Sequence, residues 1–309
     1  MKVLTLGAGA IGGYFGGRLA EGGADVTFLV REERRHQLLK HGLRIQSPFG
    51  NYGAPVHAIT FDEIQSPADV VLLTCKAYDL PTAIDAVRPA VGEETMILPL
   101  LNGLAHMELL NQEFGSDRVL GGLAKIAATS LPDGSIKHLN DWRFVTFGEQ
   151  DGRMSPRVLA LKDTFDRTSL IASAVPNVTQ AMWEKLIHLS TAAGITCLMR
   201  ASVGDIARVV GGTDLTLRFL EANAEIARRE GHPPSESFLV EHRALFANES
   251  SNYTASMLRD LERGGPIEAN HIIGYMLEKA RFHGLDDTLH LIVYIHLKAY
   301  EERRAANRQ

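Results

Sequence analysis

Lys185 lies in the run Met182-Trp183-Glu184-Lys185-Leu186, and at helical spacing its face carries Leu189, Ala192 and Ala193. A lysine on so apolar a stripe has two readings. Burial would disfavour the ammonium and bring its pKa toward the working range of a general acid, while an anionic substrate would push it back up. The same charge could stabilise an alkoxide as it forms. Alternatively the stem packs and the head reaches water. Glu268 follows Gly264-Gly265-Pro266, a helix-start pattern, and is expected in a first helical turn. The helix dipole alone stabilises an acid there; the competing reading has it hydrogen-bond a substrate hydroxyl or orient Lys185. Ser256, twelve residues earlier, offers a hydroxyl that could donate to a carboxylate or cap a helix. The 12 histidines show neither HExxH nor another metal spacing, so no metal is expected. His188, on the Lys185 helix, reads as a packed core residue. No GxSxG nucleophile pattern occurs.

A second constellation opens the chain. Gly7-Ala8-Gly9-Ala10-Ile11-Gly12 follows the apolar run Val3–Leu6 directly and precedes a helical stretch. Gly7 would permit a tight turn, Gly9 would let backbone approach a pyrophosphate, and Gly12 would let helix and strand pack closely. The helix start then offers N–H groups and a positive dipole end to phosphates. A ligand-free glycine turn is the alternative, but the strand, the helix and the second strand at the right distance favour a dinucleotide.

The end of that second strand bears on which dinucleotide. Thr27-Phe28-Leu29-Val30 carries no Asp or Glu for a ribose hydroxyl, and Arg31 comes next, with Arg34 and Arg35 within a turn. A guanidinium suits a 2′-phosphate, so NADP(H) is expected, with Arg31 as its ligand; a solvated helix face is the alternative, above all for Arg35. Lys76 follows the run Val70–Cys75, and Asn102-Gly103 follows Thr95–Leu100. Both stand at strand carboxyl ends, where open α/β sheets bind ligands. Lys76 could contact the 2′-phosphate or substrate. Asn102 could contact cofactor or substrate, or cap a helix.

These residues need an α/β scaffold, and the chain supplies one. Strands are expected at Lys2–Leu6, Asp25–Val30, Leu43–Gln46, Tyr52–Ile59, Val70–Thr74 and Thr95–Leu100. Helices are expected at Ile11–Glu21, Glu32–Lys40, Leu80–Val87 and Leu104–Phe114. Such alternation predicts a mainly parallel, doubly wound sheet. Leu43–Gln46 and Tyr52–Ile59 read as a hairpin across Pro48–Asn51. Val119–Ala128, Ile136–Leu139 and Phe144–Phe147 form a strand-rich extension, followed by a helix at Arg157–Phe165 and a strand at Leu170–Ala174. From Val178 the pattern turns helical, with breaks at Gly204, Gly211–Gly212, Gly231–Pro234, Gly264–Pro266 and Gly284. The expected domains are therefore 1–176, a Rossmann-type nucleotide domain, and 177–309, an all-helical domain. The tail Glu301–Gln309 should fray.

Composition excludes other classes. With 309 residues, 45% hydrophobic, 22% charged and net charge −5, the chain reads as globular, with no nucleic-acid or polybasic membrane partner. Glycines interrupt the apolar start, which reads as strand and turn and not as a leader. Leu186–Met199 is too short to span a bilayer. Cys75 and Cys197 read as buried thiols, consistent with the cytoplasm. The long C-terminal helices could form a homodimer face.

Taken end to end, the chain resembles the ketopantoate reductase (2-dehydropantoate 2-reductase) family. The resemblance rests on Gly7–Gly12, Cys75-Lys76-Ala77-Tyr78, Leu101-Asn102-Gly103-Leu104, Met182–Leu186, Ser256-Met257-Leu258-Arg259-Asp260, and Glu268 ahead of Ala280-Arg281-Phe282-His283-Gly284. It implies NADPH and a small 2-oxo acid bound by a Rossmann domain and a helical domain, and pantoate formation for pantothenate synthesis. It also implies that Lys185 donates the proton, that Glu268 assists, and that Asn102 and Ser256 hold substrate. The chain departs from the family pattern at Leu189 and Ala193, one and two turns past the lysine, where well-known members carry asparagines. The first of those binds the ketopantoate end, so the departure leaves room for a paralogue acting on a different oxo acid. A non-catalytic NADP(H) sensor is the reading from another class; retention of Lys185 and Glu268 weighs against it.

Overall fold

The computed structural model describes residues 1–307, which divide into two compact units: Met1–Leu101 with His106–Val178, and Asn102–Ala105 with Thr179 onward.

In the first unit the chain runs β1 (Lys2–Leu6), α1 (Ala10–Glu21), β2 (Asp25–Leu29), α2 (Glu32–His41), β3 (Leu43–Gln46), β4 (Tyr52–Ala54), β5 (His57–Ile59), β6 (Val70–Leu73), α3 (Leu80–Val87), β7 (Met96–Pro99), α4 (Ala105–Phe114), β8 (Gly121–Ser130), β9 (Ile136–Gly148), α5 (Pro156–Asp166) and β10 (Ile171–Ala174). Five of these strands form a parallel sheet in the order β5-β2-β1-β6-β7. Every residue of β6 and β7 is buried, as a strand covered on both faces requires. Alternation assigns the two cores. Val3, Phe28, Val70, Leu72 and Leu98 pack with Tyr14, Phe15 and Leu19 of α1. Their neighbours Leu4, Leu29, Val71, Leu73 and Ile97 pack with Leu80, Ile84 and Val87 of α3 and with Leu110 and Phe114 of α4. The chain leaves β1 for β2 on one side and returns to β6 on the other. The carboxyl end of β1 is therefore the switch point, where such sheets open a crevice.

The second sheet has the order β10-β9-β3-β4, with β8 on β9. Two expectations change here. Tyr52–Ile59 is not one strand. Pro55, which has no N–H to give a ladder, divides it, so that β4 pairs antiparallel with β3 while β5 joins the first sheet beside β2. Conversely, Ile136–Leu139 and Phe144–Phe147 are one continuous β9. The polar Asn140 bridges the expected gap: its Oδ1 accepts from the backbone N–H of Ala127 and of Trp142, each at 3.2 Å, where the β8–β9 register shifts between Ile126 and Ala128.

The second unit is helical: α6 (Val178–Met199), α7 (Val203–Ala207), α8 (Gly212–Arg229), α9 (Glu236–Phe246), α10 (Ser256–Glu262), a π-helical turn (Asn270–Gly274), α11 (Tyr275–Phe282) and α12 (Thr288–Ala305). Helix α6 is its axis, buried on nearly every side from Ser190 to Cys197. Helix α8 approaches so closely that a Cβ on Gly194 would fall 2.2 Å from the Phe219 ring. A buried polar tie fixes the helix register. Asn223 donates to Thr191 Oγ1 at 3.1 Å and to the Phe219 carbonyl at 2.9 Å, while its Oδ1 accepts from His290 Nε2 at 3.0 Å. Burial lowers the His290 pKa to about 4, which keeps that imidazole neutral.

The expected breaks at Gly211, Gly231, Gly264 and Gly284 fall between helices. Gly204 does not break a helix: it lies inside α7 against the carbonyls of Ser251 and Glu249, and the chain turns earlier, at Arg200. The tail is helical through Ala305; Arg308 and Gln309 lie outside the described residues. Among the described residues no helix is long and apolar enough to cross a membrane. Of the two cysteines expected to be buried, Cys197 is, whereas Cys75 is only half-buried.

Candidate active site

The glycine turn is assembled at the end of β1. Gly7 adopts φ +88° and donates to the Leu29 carbonyl at 2.8 Å, a backbone conformation that side chains rarely accept. Thr74, just past β6, donates its hydroxyl to the Leu6 carbonyl at 2.7 Å and so joins two strand ends. A Cβ on Gly12 would fall 2.3 Å from both the Gly7 carbonyl and Thr74 Oγ1, whereas a Cβ on Gly9 would meet nothing within 4 Å. One glycine thus allows α1 to press on the strand and the other leaves an open face. Gly9 caps α1 without a side chain, and the first-turn N–H groups, Ala10, Ile11 and Gly12 among them, have no carbonyl within the helix. The cradle offers donors and a positive helix end, which fits a pyrophosphate.

The three arginines after β2 have different surroundings. The Arg31 side chain is 85% exposed and lies 3.8 Å from Asp79 Oδ1. Arg35 is drawn to Glu63 at 2.8 Å and to Glu32 at 3.5 Å. It belongs to an ion-pair network, more constrained than the solvated face expected of it. Arg34 donates from Nε and Nη2 to the Ala8 carbonyl at 3.1 and 2.8 Å. It therefore supports the glycine turn itself, a role sequence reasoning missed. The clustering of arginines pointed to the region but not to which of them faces inward. Lys76 is half-buried and caps the short turn Ala77–Asp79 that leads into α3.

Lys185, Glu268, Asn102 and Ser256 all belong to the second unit. Part of Lys185 remains accessible, but burial of its ammonium lowers the pKa and the charge of Glu268 raises it in part, leaving it at about 8 against an ordinary 10.5. Glu268 is itself 5% exposed. It sits one position earlier than a first helical turn: Ala269 begins the helical backbone, and the Glu268 carbonyl accepts the Ile272 N–H at 3.2 Å. Its carboxylate acts on His271 as well, whose pKa burial lowers and Glu268 raises in part. Asn102 is half-buried. Its neighbour Gly103 has φ +85°, and a Cβ there would fall 2.6 Å from the His271 carbonyl. The Asn102 loop is thus seated directly on the π-helical turn that Glu268 enters, a turn type enriched at functional sites.

Ser256 is exposed as the first residue of α10. Ala255 holds the cap position, so the helix-cap alternative for Ser256 does not apply. His188 hydrogen-bonds Tyr253 at 2.8 Å and stacks on Phe246, a packed position. No group of three or more His, Cys, Asp or Glu among the described residues is placed to hold a metal.

Comparison with known proteins accounts for both halves. Residues 3–152 match the ketopantoate reductase PanE/ApbA family, and residues 177–301 match its C-terminal counterpart. The chain belongs to the ketopantoate reductase family. Among relatives of the reductase, the Bacillus subtilis protein described as an uncharacterized oxidoreductase, YkpB, is 35% identical over 98% of this chain and 100% of its own. The crystal structure of 2-dehydropantoate 2-reductase from Geobacter metallireducens superposes with a TM-score of 0.88 at 26% identity, covering 97% of this chain and 99% of that one. D-mandelate dehydrogenase, solved with NADH and anilino(oxo)acetate, has the same fold at a TM-score of 0.88 and 19% identity, covering 99% and 100% of the two chains. This reductase-family chain is accordingly an oxidoreductase with a parallel Rossmann sheet and a helical C-terminal region. At its two departures from the family pattern, Leu189 is partly exposed one turn past Lys185, whereas Ala193 is buried at 2% exposure.

Proposed function

We propose that this protein reduces a small 2-oxo acid to the 2-hydroxy acid with NADPH, and that the acid is 2-dehydropantoate, giving pantoate for pantothenate synthesis. The observation that carries the reading is the Lys185 ammonium, lowered to about 8 by burial beside the buried Glu268. At neutral pH such an amine is still mostly protonated, yet it releases its proton far more readily than a solvated lysine.

A bound reduced nicotinamide supplies the hydride. The chain's own residues do the rest. The glycine turn holds the pyrophosphate through backbone N–H groups. The exposed Arg31 takes the 2′-phosphate, with Lys76 as a second cation at the neighbouring strand end. Asn102 and Ser256 offer hydrogen bonds to the substrate. Lys185 donates a proton to the substrate carbonyl oxygen as it becomes a hydroxyl, and its charge offsets the developing alkoxide. Glu268 keeps the Lys185 amine charged and accepts a hydrogen bond from the product hydroxyl. The assembly we propose is a homodimer, α12 leaving Ile292 and Ile295 exposed on one stripe.

A second substrate reading has its own support. Leu189 presents a partly exposed apolar side chain one turn from Lys185, which favours an oxo acid whose far end is apolar. One assay decides between them: NADPH and NADH oxidation followed against 2-dehydropantoate and a panel of apolar 2-oxo acids. The main reading expects NADPH with 2-dehydropantoate to give the highest kcat/KM. Faster turnover of an apolar acid replaces that substrate, a preference for NADH removes the role given to Arg31, and dinucleotide binding without oxidation across the panel leaves a sensor.

A further inference from the structure

We propose that Arg34 is a positioning residue for the dinucleotide pyrophosphate, acting through the peptide between Ala8 and Gly9. The inference rests on the nucleotide-binding reading of the glycine turn and adds a residue to it.

The Ala8 carbonyl is the first one outside α1. The helix begins at Ala10 with Gly9 as its cap, and it is the Gly9 carbonyl that accepts the Gly13 N–H at 2.8 Å. Ala8 is buried at 2% exposure, so its carbonyl needs a partner from elsewhere. Arg34, in the first turn of α2, provides one with a two-pronged contact: Nε at 3.1 Å and Nη2 at 2.8 Å on the same oxygen. The guanidinium is itself held. Nη1 donates to Gln37 Oε1 at 3.1 Å, and Gly134, in the β8–β9 turn, lies so near that a Cβ there would fall 2.4 Å from Nη1.

In a trans peptide the carbonyl and the following N–H point in opposite directions, and among the described residues no peptide bond is cis. Fixing the Ala8 carbonyl on Arg34 therefore aims the Gly9 N–H away from the guanidinium. Apart from its own chain neighbours, no atom lies within 4 Å of the position a Gly9 Cβ would take, so the cap residue has open space beside it. The contact is charge-assisted, and it polarises the peptide and strengthens the N–H as a donor. Arg34 thereby divides labour with Arg31: Arg31 reads the 2′-phosphate, whereas Arg34 serves any dinucleotide alike.

That equality is the test. Dissociation constants for NADPH and NADH are measured by calorimetry on the full-length protein, on Arg34→Met, which keeps most of the stem, and on Arg34→Lys, which keeps the charge and loses the fork. Arg34→Met is expected to weaken both dinucleotides by the same factor, at least tenfold, with kcat at saturating cofactor and KM for the oxo acid within about twofold of the parent. Arg34→Lys is expected to lose about threefold for both, and it carries the test if Arg34→Met does not fold. Unchanged affinities in the folded variants overturn the proposal and leave Arg34 a structural brace. Loss confined to NADPH overturns it too, by making Arg34 a 2′-phosphate ligand. A parent protein that binds neither dinucleotide removes the nucleotide reading itself, an outcome seen before any variant is made.

Discussion

The glycine turn and the Lys185 centre, one in each unit, are built on opposite principles. The glycine turn works because side chains are missing: a single Cβ on Gly12 would meet the Gly7 carbonyl and the Thr74 hydroxyl at 2.3 Å. The Lys185 centre is set by the side chains that surround it: burial, offset in part by the charge of Glu268, lowers that ammonium to about 8. The first site is specified by local backbone geometry and tolerates almost no change in residue type. The second is specified by tertiary packing, so the same lysine on an exposed helix would have ordinary chemistry. In the function proposed above, rigidity of the main chain would hold the cofactor and desolvation would tune the proton donor.

The largest expected effect comes from removing the tuned group. Lys185→Met should lower kcat for oxo-acid reduction by about 100-fold or more, the usual scale for loss of a general acid. The pH dependence of its stability should change as well. A lysine whose folded pKa lies below its unfolded value binds fewer protons when folded, so at neutral pH its burial costs folding free energy, and stability rises with pH between about 8 and 10.5. Replacing it should therefore abolish that rise, read by urea titration at pH 7 and at pH 10. In the parent protein kcat/KM for reduction should fall tenfold per unit as pH rises past about 8, where the donor is deprotonated. A flat profile to pH 10, or a variant that keeps its activity, would return Lys185 to the role of a cation whose stem packs and whose head reaches water.

The contrast also explains what the sequence let one read. Fold class was legible because apolar runs at β6 and β7 and the glycine pattern after β1 are local consequences of a doubly covered parallel sheet. The fate of Tyr52–Ile59 was not. Alternation marks a strand but does not say which sheet it joins, and only the pairing of β5 with β2 shows that Pro55 parts two strands of different sheets. Continuity of β9 was hidden for a related reason, since Asn140 looks like a turn residue until its side chain is seen satisfying Ala127 across the bulge. In the glycine turn, the tight backbone at Gly7 and the close helix approach at Gly12 could be read from type and spacing. Lys185 did not, because an apolar face is equally compatible with a stem that packs and a head that escapes. Arg34 and Arg31 are three residues apart on the same helix start, and nothing local distinguishes the one bonded to Ala8 from the one in solvent.

A smaller effect should come from the backbone half. Gly12→Ala places a methyl against main chain as well as the Thr74 hydroxyl, and main chain does not yield cheaply at 2.3 Å. The helix start must shift, at a cost on the scale of about 1–3 kcal/mol for overpacking. NADPH affinity should fall by about tenfold, since about 1.4 kcal/mol is one decade, with KM for the oxo acid little changed at saturating cofactor. Gly9→Ala, at a position with open space, should lose less. Equal losses at the two glycines would mean that helix approach is not what Gly12 secures, and the backbone half of the contrast would fail.

The smallest effect concerns the boundary between the two principles, where packing shapes specificity and not rate. Leu189 is partly exposed one turn beyond Lys185, whereas Ala193 is buried, so of the two departures from the family pattern only Leu189 is able to touch a substrate. An amide at that position would add hydrogen-bonding capacity without altering the desolvation of the lysine by much. Leu189→Asn should therefore raise kcat/KM for 2-dehydropantoate relative to an apolar 2-oxo acid of similar size by about threefold, within the scale of one net hydrogen bond, while kcat on the better substrate stays within about twofold. An equal change for both acids would mean the substitution acts on Lys185 and not on the pocket. No change would mean that residue 189 does not line the substrate site, and specificity would have to be sought beside Asn102 and Ser256.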